Sequence, residues 1–235
     1  MSLTEHLLRP LLSSSAARPL ITHYDDACGS RVELSAATLA NWGAKTANWL
    51  VEEWDVEPGD AVSVDLPAHW QTAGVLLGSW WCGAHVVADA DGATVGFTGP
   101  DSHPTTAEVT ARVALDPLGR GLGTAPGDGS FDYLSEARVC GDEFSPLLPV
   151  GGDTPALLGR TVDEVLATAR ERATALGIGA GDRVLSTRPW TLADGVLDAF
   201  LAPLAAGAHV VQVTGADPDA LERHRTTERT TVEVR

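Results

Sequence analysis

Lysine is almost missing from this chain. It occurs once in 235 residues, at Lys45, and the remaining positive side chains are arginines. A mechanism that sets a lysine point charge on a phosphate therefore has one candidate at most. Cysteine is scarce too. Cys28, Cys82 and Cys140 are odd in number, widely spaced and form no C-x-x-C pair, which excludes a zinc ribbon and a dithiol redox motif and favours a reducing cytoplasm. Cys82 lies in an apolar segment and reads as a small buried hydrophobe. No run is long and apolar enough to cross a bilayer. The first ten residues carry Glu5, His6 and Arg9 where a signal core would be apolar. Positive charge is short overall, with a formal net charge of −16 at neutral pH. That balance argues against nucleic acid and against anionic membrane as partners, since both need clustered Lys/Arg to neutralise phosphates. The expected compartment is cytoplasmic. G-x-S-x-G, H-E-x-x-H, G-x-x-x-x-G-K-[ST] and G-x-G-x-x-G are all absent.

What the chain does have is a repeat. Pro58-Gly59-Asp60-Ala61-Val62 precedes an apolar run with Trp70 and then Gly83-Ala84-His85-Val86-Val87. Ala180-Gly181-Asp182-Arg183-Val184 precedes an apolar run with Trp190 and then Gly207-Ala208-His209-Val210-Val211. The offset of roughly 120 residues is too long for a solenoid. It fits two related α/β units.

In chain order, 3–12 has helical apolar spacing, capped by Ser2 or Thr4 and ended by Ser13-Ser14-Ser15. Residues 19–24 and 31–34 read as a hairpin around the 25–30 turn. Ser35 caps a helix over 36–54. Strand 61–66, helix 69–82 and strand 84–88 form a parallel crossover, with the helix apolar almost all round and so covered on several sides. Residues 93–98 suit a strand, and 108–115 fit a strand or a short helix. Gly- and Pro-rich 119–130 reads as an exposed linker, 131–137 as a short helix, and 144–155 as a connection. Thr161 and Glu164 stand at capping-box spacing before a helix over 162–176. Strand 183–187, helix 191–204, strand 209–213, helix 218–224 and strand 230–234 follow. The expected fold is α/β: two related parallel-sheet subdomains with helices packed between and around them. Residues 1–118 are the first subdomain, 119–155 the linker and connection, and 156–235 the second, in one integrated unit.

Ligands of open parallel sheets sit beyond the carboxyl ends of the strands. In the second copy that end offers Thr187, Arg188, Trp190 and Thr191: two hydroxyls, a planar cation and a stacking face. These four are the candidate cleft. The plainer reading is a strand-to-helix turn with a capping Thr191 and a packed Trp190. In the first copy, Asp65 and His69 are a candidate carboxylate–imidazole pair, against an exposed loop that starts a helix. His85 and His209 occupy equivalent strand starts, which points to structure over metal binding. His23-Tyr24-Asp25-Asp26 has the composition of a cation site, but a turn with solvated carboxylates explains it more simply. No metal site and no catalytic residue is expected.

Several stretches, in order, resemble the N-terminal region of AMP-binding, adenylate-forming enzymes of the acyl-CoA synthetase-like family. They are Leu34-Ser35, Ala47-Asn48-Trp49-Leu50, Pro58-Gly59-Asp60-Ala61-Val62, Leu66-Pro67, Cys82-Gly83-Ala84-His85-Val86-Val87, Gly181-Asp182-Arg183-Val184, Pro189, Gly195, Ala202-Pro203-Leu204 and Ala206-Gly207-Ala208. In detail the chain is similar to a small, truncated AMP-binding-like group found in actinobacteria. The resemblance implies a phosphate loop rich in Thr, Ser and Gly, ending Pro-Lys-Gly, just before the second-half helix. This chain has Pro149-Val150-Gly151-Gly152-Asp153-Thr154-Pro155-Ala156 there, without serine or lysine and with a carboxylate where phosphates would sit. A histidine common in the family aligns with Leu192. The family's adenine- and magnesium-binding motifs, and its C-terminal domain with the catalytic lysine, lie beyond the stretch covered.

The resemblance therefore implies a degenerate relative without adenylation activity, acting as a binding, assembly or regulatory protein. The alternatives are residual ATP-dependent acyl or aryl carboxylate adenylation, acyl-CoA ligase chemistry near Arg188 and Trp190, or nucleotide sensing without turnover. No cofactor is expected, with ATP or AMP as the nucleotide a surviving site would take. A homodimer and a small-molecule ligand are the partners left open.

Overall fold

The computed structural model describes residues 1–235. Helix α1 (Leu3–Ser15) starts on a capping box of Ser2 and Glu5 and runs past the expected stop. Over this last turn the Ser13, Ser14 and Ser15 hydroxyls donate back to the Pro10 and Leu11 carbonyls. Strands β1 (Pro19–Asp25) and β2 (Ser30–Ser35) form the expected hairpin. Helix α2 (Ala36–Trp54) is capped by Ser35. The crossover β3 (Ala61–Asp65), α3 (Trp70–Cys82) and β4 (His85–Val87) is parallel, with Ala61 opposite His85. Strands β5 (Val95–Thr98), β6 (Val109–Arg112) and β7 (Phe131–Asp132) extend that sheet, so 108–115 is strand. Helix α4 (Tyr133–Ala137) follows.

A short hairpin, β8 (Pro155–Leu157) and β9 (Arg160–Thr161), leads into α5 (Val162–Ala175). Then come β10 (Arg183–Ser186), α6 (Asp194–Val196), a π-helical segment (Leu197–Leu201), α7 (Ala202–Ala206), β11 (His209–Thr214), α8 (Pro218–Glu228) and β12 (Val232–Val234).

The strands make two sheets. One has the order β12-β10-β11-β1-β2 and the other β7-β6-β5-β3-β4-β8-β9, with every pair parallel except the hairpins β1–β2 and β8–β9. Sheet membership does not follow the division at 118 and 156. Strand β1 pairs with β11, Ile21 opposite Val210, and β8 pairs with β4. The burial pattern explains the first exchange. Five consecutive residues of β1 are buried, so it must have neighbours and cover on both faces, whereas β2 alternates as an edge strand does. Helix α3 touches β4 of one sheet and β1 of the other and has only Trp81 less than buried. It is the internal beam of a single 46-residue core that draws on both halves.

The repeat is one turn built twice. Gly59 and Gly181 take φ of 98° and 85°, a conformation that costs glycine nothing. Gly59 N–H donates to Gly83 O at 2.9 Å and Gly181 N–H to Gly207 O at 3.3 Å; His85 and His209 N–H donate to the Asp60 and Asp182 carbonyls, each at 2.8 Å. The carboxylates of Asp60 and Asp182 accept the N–H of the residue three positions earlier. The repeated segments thus fix the register of two parallel strand pairs at their amino ends, away from where ligands of such sheets bind.

Candidate functional site

Two adjoining clefts open where β3, β4, β10 and β11 end. One, of about 330 Å³, is walled by the 64–67 segment, Ala88 and Pro189 to Leu192. The other, of about 250 Å³, is walled by Pro67, Ala68, Thr187, Pro189 and the 212–216 segment. They share Pro67 and Pro189 and lie between the carboxyl ends of the two sheets.

The four candidate residues separate here. Thr187 lines the smaller cleft and Thr191 the larger. Trp190 also borders the larger cleft but is 4% exposed. Its ring packs on Phe200 with centroids 4.5 Å apart, and its Nε1–H donates to Gln212 Oε1 at 3.0 Å. Its face is thus covered by protein. Arg188 places Nη1 3.2 Å from Oδ2 of the buried Asp198 and donates to the Arg235 carbonyl. The expected cation is not among the cleft walls. Thr191 makes no cap; Ala193 holds the N-cap position of α6 without a side-chain bond. Gly195 is needed for closeness, because a Cβ there would collide with the Pro189 carbonyl and stand 2.8 Å from Thr191 Oγ1.

Asp65 and His69 do not pair. Asp65 is exposed on the larger cleft, the one charged side chain on either cleft wall. His69 is buried and caps α3, its Nδ1 accepting the Gln71 N–H at 3.1 Å. Its ring meets His23 edge-on at 4.5 Å. Burial pushes His23 down to about 4, and burial together with the neighbouring His23 pushes His69 down to about 3. Both imidazoles are neutral packing groups between the sheets. His85 and His209 likewise serve structure: each accepts or shares one bond, His85 Nε2 from Gly159 N–H at 2.7 Å and His209 Nε2 with Thr22 Oγ1 at 2.9 Å. Asp26 departs from the solvated turn expected. Its carboxylate bonds His224 Nε2 at 2.8 Å and accepts the Asp217 N–H, which pins α8 to the hairpin.

Residues 151–154, where the resemblance sets a phosphate loop, form a closed turn. Gly151 N–H donates to Thr154 Oγ1 at 3.0 Å and Thr154 N–H returns to Gly151 O at 3.3 Å. At the start of α5, the Val162 and Asp163 N–H groups donate to the Thr154 and Gly152 carbonyls, both at 2.9 Å. The Glu164 N–H donates to Thr161 Oγ1 at 3.3 Å. A helix N-terminus binds phosphate through unsatisfied N–H groups, and these three are already engaged. The Asp153 carboxylate folds over Gly151 and the Asp163 carboxylate over Gly152, so two negative groups flank the turn.

Sequence reasoning missed Gln212 and Asp198. Gln212 is fully buried and ties Trp190 to the Arg188 carbonyl. Asp198, 4% exposed, draws both Arg172 and Arg188 to 3.2 Å. The available signal was one polar residue interrupting an apolar run in each case.

This architecture is the N-terminal-domain fold of adenylate-forming enzymes. The acyl-CoA synthetase of Brucella canis superposes over 99% of the chain with a TM-score of 0.78 at 15% identity, and the acetoacetyl-CoA synthetase of Streptomyces lividans over 99% with 0.75 at 18%. The chain spans 47% and 42% of those two proteins. A sulfoacetate–CoA ligase of Cupriavidus necator is 34% identical over 65% of this chain and 34% of its own length. No protein-family model matches the chain. A "TIGR03089 family protein" of Mycobacterium tuberculosis is 43% identical over 98% of this chain and 97% of its own. The chain belongs to that family.

Proposed function

We propose that this protein uses the adenylate-forming scaffold for binding, as an assembly or regulatory protein, and does not adenylate. One observation carries the reading: the turn at 151–154 is closed on itself, flanked by two carboxylates, and its helix N-terminus has no free donor among Val162, Asp163 and Glu164. A nucleoside triphosphate there would meet negative charge and find the Val162, Asp163 and Glu164 N–H groups already engaged. The clefts add support. Their walls offer threonine hydroxyls and Asp65 but no Arg, Lys, His or Cys, so nothing stands ready to stabilise a pentavalent phosphorus or an acyl-adenylate's charge. A small uncharged or cationic molecule suits them better.

The test is pyrophosphate release with ATP·Mg and a panel of acyl and aryl carboxylates. None is expected above the enzyme-free background, and thermal shifts with ATP·Mg, AMP and CoA should be absent. Carboxylate-dependent pyrophosphate release would overturn the proposal in favour of ligase chemistry of the kind the Cupriavidus relative is named for. An ATP·Mg shift without turnover would replace it with nucleotide sensing.

A further inference from the structure

At the opposite ends of β3 and β4 from these clefts lies a groove of about 310 Å³. Val51, Val56 and Phe144 form its apolar floor, with Phe144 edge-on to Trp81 at 6.2 Å. Pro146, Leu147 and Leu148 form one wall. Leu147 is 85% exposed and Leu148 45%, a poor arrangement for two neighbouring leucines unless something covers them. The other wall is acidic. Asp55 and Glu57 line the groove, and Glu52 and Glu53 stand exposed just before them. None of the four carboxylates meets a basic side chain: the nearby Lys45 is bound to Asp142 at 2.6 Å.

Their position makes them costly. They sit at the C-terminal end of the nineteen-residue α2, where the helix dipole is negative and no basic residue occupies the last turn. A sequence that breaks the charge rule at a helix end without a compensating contact marks a place selected for something other than stability. We propose that this groove docks a segment of another protein, one that carries bulky apolar anchors flanked by Lys or Arg. The anchors cover Leu147 and Leu148, and the flanking cations face Asp55 and Glu57. A second copy of this chain fits less well: at a net charge of −16 it would bring acid to an acidic rim. The proposal goes beyond the binding role assigned above and does not depend on what the clefts hold.

The test pans the whole purified chain against a phage-displayed library of random linear peptides. Enriched peptides should combine large apolar residues with Lys or Arg. By fluorescence anisotropy their affinity should fall at least tenfold in Leu147→Asp, several-fold in Asp55→Lys/Glu57→Lys, and steeply as salt rises from about 0.05 to 0.5 M, where screening shortens from beyond 10 Å to a few Å. Leu147 is exposed, so the variant should melt with the native protein, and a lowered Tm would be corrected for with Leu147→Ser. Absence of enrichment, enrichment without basic flanks, or binding indifferent to both variants overturns the proposal. So does a dimer by light scattering that Leu147→Asp dissociates, since the groove would then belong to a second copy.

Discussion

Adding one methyl group at Gly78 should destabilise this protein far more than adding one at Gly43, although both glycines lie in the α2–α3 contact. A Cβ at Gly78 would run into Thr46 Cβ and stand 2.7 Å from the Gly43 carbonyl oxygen and from Thr46 Cγ2. Thr46 cannot step aside freely. Its hydroxyl is 2.6 Å from the Tyr133 phenol and 2.8 Å from the Trp42 carbonyl, and Thr46 and Tyr133 are buried. Overpacking costs about 1–3 kcal/mol, and breaking the Thr46–Tyr133 bond in the core adds about 1–3 kcal/mol. Replacing a mid-helix glycine by alanine returns about 1 kcal/mol. The net loss for Gly78→Ala is about 3 kcal/mol, or a fall in Tm of about 6–12 °C for a chain of this size. At Gly43 the nearest atoms are Leu77 Cβ at 3.4 Å and Trp81 Cε3 at 3.5 Å, ordinary contacts, so Gly43→Ala should be neutral or stabilising by up to about 1 kcal/mol. Urea titration of both variants checks this. Thr46→Ser should not rescue Gly78→Ala, because the Cβ and the Gly43 carbonyl remain in the way. A loss below about 1 kcal/mol at Gly78, or equal losses at the two sites, would refute the reasoning.

The carboxylate of Glu228 is 3% exposed and is held by Tyr24 OH at 2.6 Å, by Arg31 at 2.9 Å and by Arg183. Glu228→Gln should cost about 2 kcal/mol: less than the 3–5 kcal/mol of breaking a fully buried pair, because both arginines can rehydrate. Tyr24→Phe should cost about 1 kcal/mol, and urea midpoints will rank the two. Burial pushes His23 and His209 down to about 4 and, with His23 beside it, His69 down to about 3, from an ordinary 6.5. In the window between 6.5 and those values the unfolded chain binds protons that the folded chain refuses. Stability is therefore full above the unfolded pKa and falls as pH drops through that window, by up to about 1.4 kcal/mol per pH unit for each histidine. His209→Gln should remove about one histidine's share of the slope in unfolding free energy measured from pH 7.5 to about 5; an unchanged slope would show that His209 titrates normally. Gly195→Ala should open the larger cleft by displacing the Pro189–Thr191 segment, which loss of Trp190 fluorescence shielding from added iodide quencher would report.

Most of the elements were legible because their causes are local. The alternation and spacing of apolar residues gave α2, β3, α3 and β4, and the Thr161–Glu164 box gave the start of α5. The twin turns at Gly59 and Gly181 announced two parallel crossovers. The hairpin β8–β9 was not legible, since its few residues have no period of their own and are strands only because β4 supplies a partner. Of the four candidate cleft residues, Thr187, Trp190 and Thr191 line the clefts, but that Trp190 packs on Phe200 and Arg188 pairs with Asp198 was not legible, because both partners lie elsewhere in the chain.

By itself, the sequence determined most of the helices and strands, that two crossover units are related, and that residues 149–156 contain no serine or lysine. Those are properties of neighbours in the chain. Only the tertiary structure decided that β1 joins the second half's sheet and that Arg188 pairs with Asp198. It also decided that the N–H groups opening α5 are already engaged and that Leu147 and Leu148 stand uncovered in a groove with the unpaired Asp55 and Glu57. Each depends on which distant groups meet, and a hydrogen bond or an ion pair acts over only a few ångströms of space, whatever the separation along the chain.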